Sequence, residues 1–152
     1  MHYIGLDLSL TGTGVVVLKD NSKKPIVAKC IKTKNLRGGE RLAYIWQEIH
    51  QILDMGWESA VVIEGYSYGS INRGLPFQIG ELGGVVRERL THYRLLYTVV
   101  PPTTLKKFIT GHGNAKKPEV MKIVQNRWGF ETKDNNIADA YGLAMYAKEM
   151  TK

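Results

Sequence analysis

The sequence predicts an α/β fold: a mixed sheet of five strands, three antiparallel and then parallel crossovers, with helices on both faces. Three observations carry that reading. The first 34 residues hold three β-compatible runs joined by short connections, and a parallel return would need a crossover of roughly a dozen residues or more. The hydrophobic period then becomes helical. From there short apolar runs alternate with helical stretches, as when helices cover both sides of a sheet.

The elements follow in order. Tyr3 to Leu8 is a first strand, Gly14 to Leu18 a second, and Pro25 to Thr33 a third, set off by the polar turn Asp20-Asn21-Ser22-Lys23-Lys24. Leu42, Ile45, Trp46, Ile49, Ile52 and Leu53 fall at helical spacing, and Gly56 marks the stop. Ala60-Val61-Val62-Ile63-Glu64 is a short apolar run ending in a carboxylate and reads as a buried strand. A loop over 65–76 leads to a helix from Phe77 to about His92, and Arg94 to Val100 is the last strand, stopped by Pro101-Pro102. A short helical piece spans Thr104 to Ile109. Pro118, suited to the first helical position, opens a helix to about Trp128. The final helix covers about Asn135 to Glu149. Three antiparallel strands followed by such crossovers make the ribonuclease H-like arrangement.

At 152 residues the chain is expected to form a single domain over 1–152. No apolar run approaches the ~20 residues that span a bilayer, so no membrane association is expected, and no signal-peptide pattern is visible. Cys30 is the one cysteine, which excludes an intramolecular disulfide and an all-cysteine metal cluster and fits a cytoplasmic setting. Lys and Arg outnumber Asp and Glu by 21 to 14, for a net charge of +7 and a pI near 9.5. Such an excess suits a polyanionic partner through counterion release. Charge alone leaves open an indifferent basic surface.

The acids are more specific. Asp7 lies within the first strand among apolar residues, Glu64 ends the buried fourth strand, and Asp139 sits between Ala138 and Ala140 early in the last helix. Carboxylates are rarely buried unless paired or bound to a metal, because desolvating them is costly. Any one of them alone could be a salt bridge or a cap. Three on converging elements point to a hard cation such as Mg²⁺, which takes oxygen ligands. Two such ions about 4 Å apart can activate water and stabilise a leaving oxygen in phosphodiester hydrolysis.

With those residues the chain resembles the RuvC family of Holliday-junction resolvases. Gly5-Leu6-Asp7-Leu8-Ser9-Leu10-Thr11-Gly12-Thr13-Gly14 resembles its opening motif and Val61-Val62-Ile63-Glu64-Gly65 its second acidic motif. The stretch Thr110-Gly111-His112-Gly113-Asn114-Ala115-Lys116-Lys117-Pro118-Glu119-Val120 is similar to its glycine-lysine loop, and Ile137-Ala138-Asp139-Ala140 to its final motif. The likeness runs over nearly the whole chain and is greatest to the compact forms encoded by bacteriophages. It implies an endonuclease that nicks branched DNA symmetrically as a homodimer, depends on Mg²⁺ or Mn²⁺ with two ions per active site, and works in the cytoplasm, that of the bacterial host if the gene is a phage's.

The resemblance makes Asp7, Glu64 and Asp139 metal ligands. Three residues before the last acid the family usually has another acid, or a histidine; here it is Asn136, which offers a neutral oxygen on the same helix face. Asp134 is the nearest spare carboxylate, but two residues further upstream it precedes the helix and is better suited to an N-cap. Lys106 and Lys117 align with lysines near the cleaved phosphate, where they would stabilise developing charge. Lys107 and Lys116 read as phosphate-positioning contacts. Tyr66 and Tyr68 could stack on opened bases or pack on the next helix, and Arg73 and Asn72 could touch DNA from the same loop. Gly80, Gly83 and Gly84 interrupt a good helix and imply a close approach, at the sheet or across a dimer interface. His112 falls in a loop expected to face DNA. Three other readings stand beside the nuclease: a junction-binding protein without efficient cleavage, an RNA-processing nuclease of the same fold, and an actin-like phosphotransferase, which also begins with a Gly-x-Asp strand.

Overall fold

The structure, a computed structural model, describes residues 1–66 and 76–151. Its strands are β1 (His2–Asp7), β2 (Gly12–Lys19), β3 (Val27–Lys32), β4 (Ser59–Glu64) and β5 (Tyr97–Val100). Its helices are α1 (Gly38–Leu53), α2 (Pro76–His92), α3 (Pro102–Thr110), α4 (Lys117–Trp128) and α5 (Asn135–Met150). The sheet order is β3-β2-β1-β4-β5. β2 pairs antiparallel with both β1 and β3, while β4 runs parallel to β1 and to β5. The expected ribonuclease H-like topology is therefore the observed one.

Period-two alternation divides the core between the faces. Ile4, Leu6, Val15, Val17, Val61 and Ile63 pack beneath α1 and α2 with Ile45, Ile49, Leu82, Val86 and Leu90. Tyr3, Val16, Leu18 and Val62 pack beneath the other three helices with Leu105, Val124, Tyr141, Leu143 and Ala144. The parity has a direct consequence for the acids. Asp7 shares its face with Tyr3, and Glu64 shares its face with Val62, so both carboxylates project toward α5.

That helix lies unusually near the sheet. A Cβ on Gly5 would run into the Ala140 carbonyl oxygen, and one on Gly14 into the Asn136 carbonyl oxygen. Two strand glycines opposite backbone atoms of α5 let the helix settle where any larger residue would hold it off. Its far end is tied by polar contacts: Tyr141 Oη donates to Lys23 O at 2.8 Å, and Lys148 Nζ donates to Ser22 O at 2.7 Å.

Several element ends differ from the sequence reading. α1 begins at Gly38 rather than near Leu42 because its exposed first turn needs no apolar residue. β3 begins at Val27 rather than Pro25, whose nitrogen cannot donate to a ladder. Thr33 leaves the strand, and its hydroxyl donates to Leu10 O. β5 starts at Tyr97 rather than Arg94 because Arg94 (φ 56°) still belongs to the turn ending α2, where Leu95 N donates to Leu90 O. Pro118 occupies the second rather than the first position of α4, after Lys117.

Gly5→Ala tests the close approach of α5. Overpacking of this kind costs about 1–3 kcal/mol, so urea unfolding should show a loss in that range or above, with the unfolding slope unchanged. Wild-type stability in the variant would refute the contact.

Candidate active site

The carboxyl ends of β1 and β4 are neighbours: the parallel register pairs Leu6 with Ile63, so Asp7 and Glu64 follow side by side. The turn after Asp7 is closed by Thr13, whose buried hydroxyl donates to Ser9 O at 2.7 Å and accepts from Ser9 N at 3.1 Å. α5 brings Asp139 to the same place, one helical turn beyond Asn136. All four side chains line one cleft of about 390 Å³, together with Ser9, Tyr66, Arg87, Lys106 and Lys117. Ile63, Ile79, Val99, Pro102 and Val120 supply its apolar wall.

The electrostatics follow from that enclosure. Asp7 is only 8% exposed. Burial, and then the charges of Glu64 and Asp139, push its carboxyl well above the ordinary range, while Lys117 pulls it down. Glu64 is raised by burial, against the hydrogen bond it shares with Asp7 and the pull of Lys106 and Lys117. Asp139 rises from 3.8 to about 7, through burial first and the Glu64 charge second, with Lys117 and Lys106 opposing. Three desolvated acids facing two ammonium groups make a site short of positive charge.

Among the described residues no three acidic, His or Cys side chains stand as a finished ligand cluster. Asp7 and Glu64 stand close enough for the charge of Glu64 to push Asp7 up. The oxygen donors still suit a hard divalent cation: the carboxylates of Asp7, Glu64 and Asp139 and the amide oxygen of Asn136. Asp134 is engaged elsewhere. Its carboxylate accepts from Asn136 N at 2.9 Å as the N-cap of α5, and Lys32 Nζ lies 3.9 Å from it.

Not every expected residue reaches the cleft. Lys106 and Lys117 do. With the Asn135 amide turned so that its oxygen faces α4, that oxygen lies 3.3 Å from Lys117 Nζ. Lys107 and Lys116 are exposed and do not line it. Tyr66, 42% exposed, lies along α2 against Gly83, where its hydroxyl donates to Gly80 O at 3.2 Å and accepts from Arg87 at 3.3 Å. So packing on the next helix is its observed state. Gly83 is the glycine of α2 that permits this; a Cβ on Gly80 or Gly84 would meet nothing within 4 Å among the described residues. Tyr68, Asn72 and Arg73 lie outside the described residues. His112 Nε2 sits 2.7 Å from Glu119 Oε1, closing the glycine-lysine loop onto α4. Cys30 is half-buried on β3, its thiol raised chiefly by burial, with Asn136 Nδ2 4.0 Å from its sulfur. Sequence reasoning missed Arg87, which no motif marks, and Asn135, which was overshadowed by Asn136.

A family model described as crossover junction endodeoxyribonuclease RuvC matches residues 3–147. The chain belongs to the RuvC family. It is 30% identical to the family's crossover junction endodeoxyribonuclease from a Synechococcus species, over 95% of this chain and 96% of that one. Against the Caldicellulosiruptor saccharolyticus protein the identity is 28%, over 95% and 90%. Among solved structures, Thermus thermophilus RuvC superposes with a TM-score of 0.81 at 24% identity, covering 99% of this chain and 98% of that one. T. thermophilus RuvC in complex with a Holliday junction substrate gives 0.80 at 24% identity, over 99% and 97%. These two likenesses speak for the fold. Family membership leaves the actin-like reading without support.

The raised carboxyls carry a stability signature. A carboxyl raised in the folded state contributes stability that is full below its unfolded value and lost as pH rises through the folded one. For Asp139 the window runs from about pH 4 to about pH 7. In chelator, Asp139→Asn should melt several degrees above wild type at pH 8 and converge with it near pH 4. A variant less stable than wild type at pH 8 would contradict the cost of keeping Asp139 ionised in this buried site.

Proposed function

We propose that this chain is a Holliday-junction endonuclease that hydrolyses phosphodiesters with divalent metal ions, two in each active site. The observation that carries the reading is the meeting of Asp7, Glu64 and Asp139 with Lys106 and Lys117 in one cleft of a RuvC-family chain. Asp7, Glu64, Asp139 and Asn136 would hold the ions. Bound Mg²⁺ or Mn²⁺ supplies positive charge to the phosphate and makes a water more acidic than in bulk.

The other parts belong to the protein. The carboxylates orient what they hold, and the apolar wall keeps bulk water away, which strengthens each charge interaction within. Lys117 and Lys106 meet the negative charge that gathers on the phosphate oxygens during the displacement. Lys107 and Lys116, exposed on the flanking elements, take neighbouring phosphates and position the duplex without reading sequence. Tyr66, with Tyr68 and Arg73 from the loop that follows, engages bases opened at the branch point, where stacking contributes about 1–3 kcal/mol per base. Tyr66 must first leave its seat on α2. The chain acts as a single nuclease domain in a homodimer, and the open face of α2 at Gly80 and Gly84 suits a second copy. We place the reaction in phage recombination in a bacterial cytoplasm, a reading that the motif resemblance to the compact bacteriophage forms supports.

One observation favours a second reading, a junction-binding protein that cleaves poorly: Asn136 in place of an acid. Incubation with a labelled four-way junction and Mg²⁺ or Mn²⁺ separates the two, since binding without nicking in either metal would sink the nuclease. Competition between junction and structured RNA tests the RNA-processing alternative.

Asp7→Asn should abolish nicking while junction binding persists, and near wild-type nicking by that variant would remove Asp7 from the site. Asn136→Asp should lower the Mg²⁺ concentration for half-maximal nicking several-fold, as read by a metal titration; an unchanged midpoint would exclude Asn136 as a ligand.

A further inference from the structure

The turn that follows Asp7 serves two clefts. Leu8 and Ser9 line the carboxylate cleft, and Leu10 lines another of about 520 Å³ with Arg37, Gly38, Arg41, Gln78 and Glu81. The two are joined by hydrogen bonds, the first of them buried, rather than by loose chain. Thr33 Oγ1 donates to Leu10 O at 2.7 Å, and Leu36 N donates back to Thr33 O at 3.0 Å, one residue before Arg37.

Among the described residues no ion pair meets the arginine charge of this second cleft: neither Arg37 nor Arg41 lies in a salt bridge. Arg41 Nε is sealed from solvent without a hydrogen-bond partner. A terminal nitrogen of the same guanidinium donates to the neutral Gln78 amide at 3.2 Å, which orients it without neutralising it. Burying one edge of a guanidinium opposite no anion is unfavourable unless an anion arrives. Arg37 is exposed beside it and also stands at the N-cap of α1, giving no side-chain cap. The first N–H groups of that 16-residue helix are therefore left without a side-chain acceptor, and no neighbour lies within 4 Å of where a Cβ on Gly38 or Gly39 would sit among the described residues. Glu81, exposed at the rim, and Glu40 in the first turn of α1 are the acids nearby.

We propose that this cleft binds a phosphate of the DNA backbone outside the cleaved position, gripping the strand where it leaves the carboxylates. The inference rests on the DNA-cleaving reading above. A phosphate brings the acceptor oxygens that paired guanidinium groups match. The fixed link from Asp7 through Leu10 and Thr33 to Arg37 makes the site a ruler: it sets the register of the strand against the carboxylates and reads no base.

Binding of a four-way junction and of a linear duplex, measured in Ca²⁺ across a salt series, tests the proposal. One lost phosphate contact lowers the slope of log affinity against log salt by about 0.9. Arg37→Gln and Arg41→Gln should each lose about that much slope and bind several-fold more weakly near 0.1 M salt. Arg37 is exposed, so its variant folds whatever becomes of the Arg41 variant. Glu81→Gln, which removes an opposing charge, should bind more tightly. Arg94→Gln removes an exposed arginine at the opposite end of the sheet and should leave the slope as it is. If wild type nicks a junction while both cleft arginine variants keep its slope, this site falls alone. If wild type binds neither DNA, this site and the DNA-cleaving reading fall together.

Discussion

The close seat of α5 on β1 and β2 governs the rest of the molecule. Gly5 and Gly14 let helix backbone atoms reach the strands, and that depth brings Asp139 level with Asp7 and Glu64. A helix held off by one methyl layer would move Asp139 outward by an amount comparable to a hydrogen bond, enough to break a ligand set with octahedral demands. Register matters as much as depth. Asp134 caps the near end, and Tyr141 and Lys148 grip the β2–β3 hairpin at the far end, so the helix can neither slide nor turn. The polar anchors of α5 are in this sense part of the site they lie far from.

Such a site works against the stability of the fold that holds it. Three carboxyls are desolvated together, and their raised protonation records how poorly the protein alone satisfies them. The fields of Lys106 and Lys117 offset part of that penalty. Sites of this kind persist because the surrounding structure over-determines them. Here the over-determination is visible in β1, whose residues from Tyr3 to Asp7 are buried, and in the Thr13 hydroxyl that closes the turn behind Asp7.

The mixed sheet and the three acids were legible in the sequence because the strands and the acids' places on them rest on local pattern. Alternation in Tyr3–Asp7 and Ala60–Glu64 states the face of each acid once the strands are paired. Helix starts were less legible, as at Gly38, because an exposed first turn carries no apolar signal. The seat of Tyr66 was legible only as one of two alternatives. It depends on the absence of a side chain at Gly83, fifteen or more residues away in sequence, and on Arg87 one turn further along. Its neighbour relations arise only after α2 has docked. Lys107 and Lys116 show the same limit from the other side: each adjoins a lysine that reaches the cleft, but one helical step turns Lys107 about 100° away, and Lys116 sits on extended backbone just before α4.

Asn136 can be understood in the same terms. A fourth carboxylate at this position would add its charge to a group in which Asp7 is already pushed up by two neighbours. Asparagine keeps an oxygen donor on the inner face of α5 and adds no repulsion, so the folded protein is strained less before any cation arrives. A cation held as proposed would in turn meet one negative charge fewer and bind less tightly. The substitution thus shifts free energy from cation binding to the stability of the empty fold. Asp134, two residues earlier, cannot reverse that shift without giving up the cap that fixes where α5 begins.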